Sequence, residues 1–215
     1  MLASCKRDAE DLPVEHPFAR DFYAQGEWRD TLPAAFQPFD YTIGAQVEKP
    51  FSNTYTCRSE TGYADGYKTI QANVYGVSTG NPLFFVQFSQ PGSDAVWTNS
   101  ELTDLLKPGR VFPITGAPGE VRVGFEIPWF VHTYFLSQSG DAPQPGGSVE
   151  IVSAEAYSWE QINVLGQLTK HTGIKVRLRF QAKLGRLRPV NGYPKVVGEA
   201  ALQNGEASLY FEYPE

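Results

Sequence analysis

Gly76-Val77-Ser78-Thr79-Gly80 is the one stretch of this chain that spells a nucleophile motif. A Gly-x-Ser-x-Gly elbow holds its serine on a sharp turn between a strand and a helix. Here Asn81-Pro82 and a strand-like run, Leu83 to Ser89, come next instead, so the segment reads as a turn between strands. Paired carboxylates are a second route to chemistry, since two acids about 5 Å apart serve as acid and nucleophile in glycoside cleavage. Glu126 and Glu150 are the acids to consider, although 24 acidic residues will supply such pairs without any catalytic role. His16, His132 and His171 lie far apart, with no partner two or four residues away and no cysteine beside them, so no metal site is expected. His132, six residues after Glu126, suits the core or rim of an aromatic strand better than the role of ligand or base. No Walker loop or dinucleotide fingerprint occurs, and no cofactor is expected.

Two sets of residues have the chemistry to bind. Phe125, Trp129, Phe130, Tyr134 and Phe135 gather around Pro128, with Trp97 and Trp159 as neighbours. An exposed Trp or Tyr stacks on the apolar face of a sugar while its polar tip stays wet. Val123, Phe125 and Ile127 share one face and belong in a core, which leaves Trp129 and Tyr134, with Trp97 beside them, as the ligand-binding expectation. The second set is a cationic stripe: Lys175, Arg177, Arg179 and Lys183, with Gln181 among them and Arg186 and Arg188 beyond. Such a ladder attracts an acidic polysaccharide, lipid A phosphates or an acidic protein. The plainer reading has acids on neighbouring strands, such as Glu150 and Glu199, pairing across to it.

These side chains need a β scaffold to hold them. From Tyr41 onward, short apolar runs alternate with Gly, Pro, Asn and Asp, predicting strands over 41–47, 55–59, 67–77, 83–89, 121–127, 131–136, 149–156, 174–184, 196–202 and 207–213. In the strand beginning at Ile174, apolar residues fall on one face through Leu184 and the cationic stripe falls on the other. Asp65-Gly66 and Asn204-Gly205 are expected turns, the latter closing a two-residue hairpin in which Gln203 faces Glu206 and Leu202 pairs with Ala207. Thr98 and Glu101 have capping-box spacing, which predicts a helix from Thr98 to Leu106, and Ser158 to Leu165 is a possible helical turn. The expected architecture is all-β, a two-sheet antiparallel sandwich over residues 41–215 with one short helix. Residues 1–40 are expected to form a lipidation site, a tether and a packed arm.

Composition narrows the function further. A net charge of −6 and a pI of about 5.2 argue against a nucleic-acid partner, which needs a basic footprint. No apolar run approaches the length of a spanning helix, so membrane contact would come from an anchor alone. Of the two cysteines, Cys57 reads as a small buried hydrophobe; a Cys5–Cys57 disulfide is the alternative for a secreted, unlipidated chain.

Leu2-Ala3-Ser4-Cys5 resembles the lipobox of bacterial lipoproteins, in which the cysteine sulfur carries the lipid, and the charged run Lys6 to Asp11 resembles the short tags of surface lipoproteins. The four residues ahead of Cys5 lack the apolar region of a secretory signal, so this reading calls for a longer precursor; the alternative is a soluble protein starting at Met1. Together with Leu106 to Ile114, Val176 to Lys183 and Gln203 to Glu206, the start resembles uncharacterised bacterial surface lipoproteins built as one antiparallel β domain. The resemblance implies an anchored, non-catalytic module that binds a glycan or a surface protein. A surface glycoside hydrolase and a structural envelope subunit are the alternatives. Oligomeric state is not read from the sequence.

Overall fold

The computed structural model describes residues 22–30, 35–41, 56–75, 82–115, 120–127, 133–136, 138–139, 142–143, 146–162, 168–190 and 193–214. Among them the elements run β1 (Tyr23–Arg29), β2 (Gln37–Asp40), β3 (Thr56–Ala64), β4 (Tyr67–Tyr75), β5 (Pro82–Pro91), α1 (Asn99–Leu105), β6 (Val111–Pro113) and β7 (Arg122–Ile127). They continue with β8 (Thr133–Leu136), β9 (Gln138–Ser139), β10 (Ala142–Pro143), β11 (Gly147–Ile162), β12 (Leu168–Val190) and β13 (Tyr193–Glu212).

The protein is an all-β, two-layer antiparallel sandwich with one short helix. One layer is ordered β2-β1-β13-β12-β11-β6, and the other is β3-β4-β5-β7. The layers are joined where β8 pairs with β7 and, over Gly185 to Leu187, with β12. Aromatic side chains meet between them: Phe84 lies 4.7 Å from Phe180 and Phe88 lies 5.8 Å from Phe211, ring centre to ring centre. Strict alternation in β12 explains the layer's orientation. Ile174, Val176, Leu178, Phe180, Ala182 and Leu184 are all buried, while Arg177, Arg179, Gln181 and Lys183 lie on the opposite, solvent-facing side.

Where β1 stops at Tyr23, the next exposed edge of β13 would leave the Tyr210 N–H unpaired. That N–H donates to Cys57 Sγ of β3 at 3.3 Å. Cys57 is a free, buried thiol, and burial pushes its pKa up to about 12, so it acts as packing and acceptor rather than nucleophile.

The helix forms as its capping box dictates, with Glu101 N donating to Thr98 Oγ1 at 3.2 Å and Thr98 N donating to Glu101 Oε2 at 2.8 Å. Lys68 Nζ donates to Glu101 Oε1 at 2.6 Å, tying α1 to β4. The lysine and the cap together hold the Glu101 carboxyl down at about 2.

Three expectations change. The segment 158–162 is strand rather than helical turn, because Ser158 to Ile162 pair with Thr172 to Leu168. Within the expected arm, Tyr23–Arg29 and Gln37–Asp40 form β1 and β2, and β1 joins the sandwich by pairing with β13. The third change matters most for function: Asn204-Gly205 closes no hairpin, and β13 runs straight through it. Phe180 pairs with Gly205 and Ala182 with Leu202, so two β13 residues stand against one of β12, and β1 shows the same offset between Gln25 and Glu27. Asn204, at φ 51°, is the extra residue of a β-bulge. The hairpin that joins β12 to β13 lies earlier, with Val190 paired to Tyr193 across the dipeptide Asn191-Gly192. Of the predicted strand over 41–47 all but Tyr41 lies outside the described residues, as do the elbow at 76–80 and residues 163–165. Beyond the elbow the chain is strand from Pro82, which pairs with Tyr75.

Candidate functional site

The bulge opens a cleft of about 380 Å³ on the solvent face of β11, β12 and β13. Ser148 and Glu150 come from β11, Arg179 and Gln181 from β12, and Asn204 and Glu206 from β13, with Phe180 and Gly205 completing the lining. Alternation brings these residues together. Ser148 pairs with Gln181 and Glu150 with Arg179, while Arg179 pairs on its other side with Glu206, so one guanidinium stands between two carboxylates on adjacent strands. Gly205 is required by packing: a Cβ there would stand 2.2 Å from Phe180 Cε2.

The bulge is held from the β1 side. Glu27 Oε2 accepts from Gln203 Nε2 at 2.8 Å and from Asn204 Nδ2 at 2.9 Å, fixing which way the Asn204 amide faces. Tyr23 Oη donates to Glu206 Oε1 at 3.1 Å, and Arg177 Nη2 donates to the same oxygen. The Arg177 hydrogen bond holds Glu206 below the usual carboxylate range, so it stays ionised at neutral pH. Partial burial, followed by the Glu206 charge, pushes Tyr23 up.

The cationic stripe is divided by these contacts. Lys175 lies 3.5 Å from Glu155 and beside the rings of Phe22 and Tyr157, Arg177 is paired with Glu206, and Arg186 lies 2.8 Å from Asp30. Arg179 and Lys183 make no ion pair among the described residues, and only Arg179 lines the cleft. The stripe is therefore not a continuous row of free cations. Acids on neighbouring strands take up part of it.

The aromatic set is also dispersed. Trp97 is 1% exposed, with its Nε1 donating to Thr69 O at 3.0 Å, so it offers no ring face to a ligand. Phe125 is buried against Phe39 at 4.7 Å. Tyr134 lies on β8, its backbone paired with Glu126 and Leu187. Trp129 and Cys5 lie outside the described residues, as do His16 and His132. Trp159 stacks on His171 at 4.2 Å, and His171 Nδ1 lies 2.5 Å from Glu212 Oε1, well away along β12 from the cleft. Glu126 is fully buried, with Tyr41 donating to its backbone carbonyl at 2.7 Å, and it does not join Glu150 in a cleft.

Among the described residues no group of three or more His, Cys, Asp or Glu converges as metal ligands, and no helix is long and apolar enough to cross a membrane. Sequence reasoning reached Arg179 and Glu150 but missed Asn204, Glu206, Ser148 and the supporting Glu27. Glu206 stands opposite Arg179 in the β12–β13 register and was hidden in sequence beside the expected Asn204-Gly205 turn. No known protein family, curated protein or solved structure matches the chain.

Proposed function

We propose that this protein is a non-catalytic glycan-binding module, held at the bacterial cell surface by a lipid on Cys5. The observation that carries the binding half is the cleft itself. It is open, and its polar lining groups are one guanidinium, two carboxylates, two amides and a hydroxyl. Sugar hydroxyls each donate and accept, and such a mixed set satisfies them from both sides. Strand and bulge geometry holds the lining groups in place before a ligand arrives, which lowers the ordering cost of binding.

A hydrolase is the second reading, because Glu150 and Glu206 share the cleft. In that reading Glu206, kept ionised by Arg177, serves as nucleophile or base and Glu150 must be the general acid. The surface half of the proposal rests on the lipobox-like Leu2-Ala3-Ser4-Cys5.

Two experiments test the proposal. On an array of immobilised oligosaccharides, the protein is expected to bind a limited group of glycans, and Arg179→Ala to lose that binding while keeping its circular dichroism spectrum. Binding unaffected by Arg179→Ala would move the site elsewhere, and release of reducing sugar would establish the hydrolase. The intact mass of protein from the membrane fraction is expected to carry acyl chains on Cys5; an unmodified cysteine would remove the anchor.

A further inference from the structure

The charges in the cleft bear on which glycans it accepts, an inference that rests on the glycan-binding reading above. Glu206 is matched by Arg177, which donates to it, and held further by Tyr23. Asn204 has one amide hydrogen committed to Glu27. That leaves Arg179 and Glu150, cross-strand neighbours with no ion pair to any described residue, as the uncommitted charges facing the opening.

We infer that the cleft takes an uncharged glycan and rejects acidic ones, with Glu150 as the residue that sets this specificity. A sugar carboxylate placed to reach Arg179 would also face Glu150 on one side and Glu206 on the other. Arg177 is claimed by Glu206 and offsets its charge, so the carboxylate gains one charge-assisted contact, with Arg179, and meets one unmatched like charge, Glu150. Like-charge juxtaposition is a strong source of rejection, because it must be relieved by moving the ligand or protonating a group. A neutral diol meets no such conflict. One hydroxyl can donate to Glu150 while its neighbour accepts from Arg179, a pairing that uses both charges without desolvating a third. The stripe's ion pairs point the same way: Lys175 and Arg177 are already occupied by Glu155 and Glu206 and cannot extend the site into a track for a polyanion.

The test uses the full chain and a panel of uronate-containing oligosaccharides, each titrated calorimetrically beside its carboxyl-reduced, neutral counterpart. The parent is expected to bind the neutral member at least about ten-fold more tightly than the acidic one. In the isosteric variant Glu150→Gln, checked for its fold by circular dichroism, the gap is expected to shrink to about three-fold or less, because removing the charge improves the acidic ligand selectively. Equal or tighter binding of the acidic members by the parent would overturn the inference and leave glycan binding standing. An unchanged preference in Glu150→Gln would remove Glu150 as its cause. If no member of either series bound, the glycan reading would fail and the inference with it.

Discussion

Asp65-Gly66 and Asn204-Gly205 are nearly the same dipeptide, yet one turns the chain and the other does not. Between β3 and β4, Ala64 pairs with Tyr67, and both central residues take positive φ, 53° at Asp65 and 83° at Gly66, as a tight two-residue turn requires. In β13 only the first residue does: Asn204 is at 51° and the strand continues on the far side. The glycines serve different ends. A Cβ on Gly66 would meet nothing within 4 Å, so that glycine is there for its backbone. A Cβ on Gly205 would run into the Phe180 ring, so this glycine is there for space. A turn-forming dipeptide fixes a local backbone bend. The strands on either side decide whether the bend reverses the chain or merely offsets it.

The distinction can be attacked at each position. Gly205→Ala is expected to cost about 3 kcal/mol, since the methyl must displace a ring packed against Phe84; urea denaturation should show the midpoint fall without a change in slope. Asn204→Val, a β-branched residue forced into positive φ, is expected to lose about 2 kcal/mol, and Asn204→Gly less, because the glycine keeps the backbone and gives up only the amide contact to Glu27. Equal losses in the two variants would mean that backbone conformation at residue 204 is not what matters. Gly66→Ala comes next, at about 1 kcal/mol, the backbone contribution alone. A loss as large as that of Gly205→Ala would erase the contrast between the two glycines.

The smallest effect is one of pH. Glu206, directly after the bulge, has its folded pKa lowered from an ordinary 4.5, chiefly by Arg177. Its contribution to stability is therefore full above about pH 4.5 and is lost as the pH falls through the lowered value. Unfolding midpoints measured from pH 6 down to pH 3 should fall more steeply in the parent than in Glu206→Gln; parallel curves would show that the ion pair adds nothing.

The same contrast marks what can be read from residues alone. Periodicity of two exposes the core face of β12 from Ile174 to Leu184, and capping-box spacing identifies α1, because both signals are local and both are met by local geometry. The bulge is a different kind of object. Whether Asn204-Gly205 turns depends on β1 and β12 lying on either side of β13, and β1 comes from a Pro-flanked stretch near the other end of the chain whose strand pattern is weak. The cleft inherits this difficulty. Glu150, Arg179 and Glu206 form a row only once three strands are in register, so Arg179 and Glu150 could be picked out singly while Glu206 and Asn204 were hidden inside a supposed turn. Trp97 illustrates the reverse error: an aromatic near a helix cap reads equally well as platform or core, and the Thr69 carbonyl that receives its N–H decides for the core.

The central claim is that the bulge on β13 forms a sugar-binding cleft with its neighbours. The direct measurement is amide chemical-shift mapping of isotope-labelled protein titrated with the neutral oligosaccharide that scores best on the array. Shifts concentrated at Ser148, Glu150, Arg179, Gln181, Asn204 and Glu206, and abolished in Arg179→Ala, are the predicted result. Shifts centred instead on the Trp129–Tyr134 segment, with the bulge residues unmoved, would contradict it.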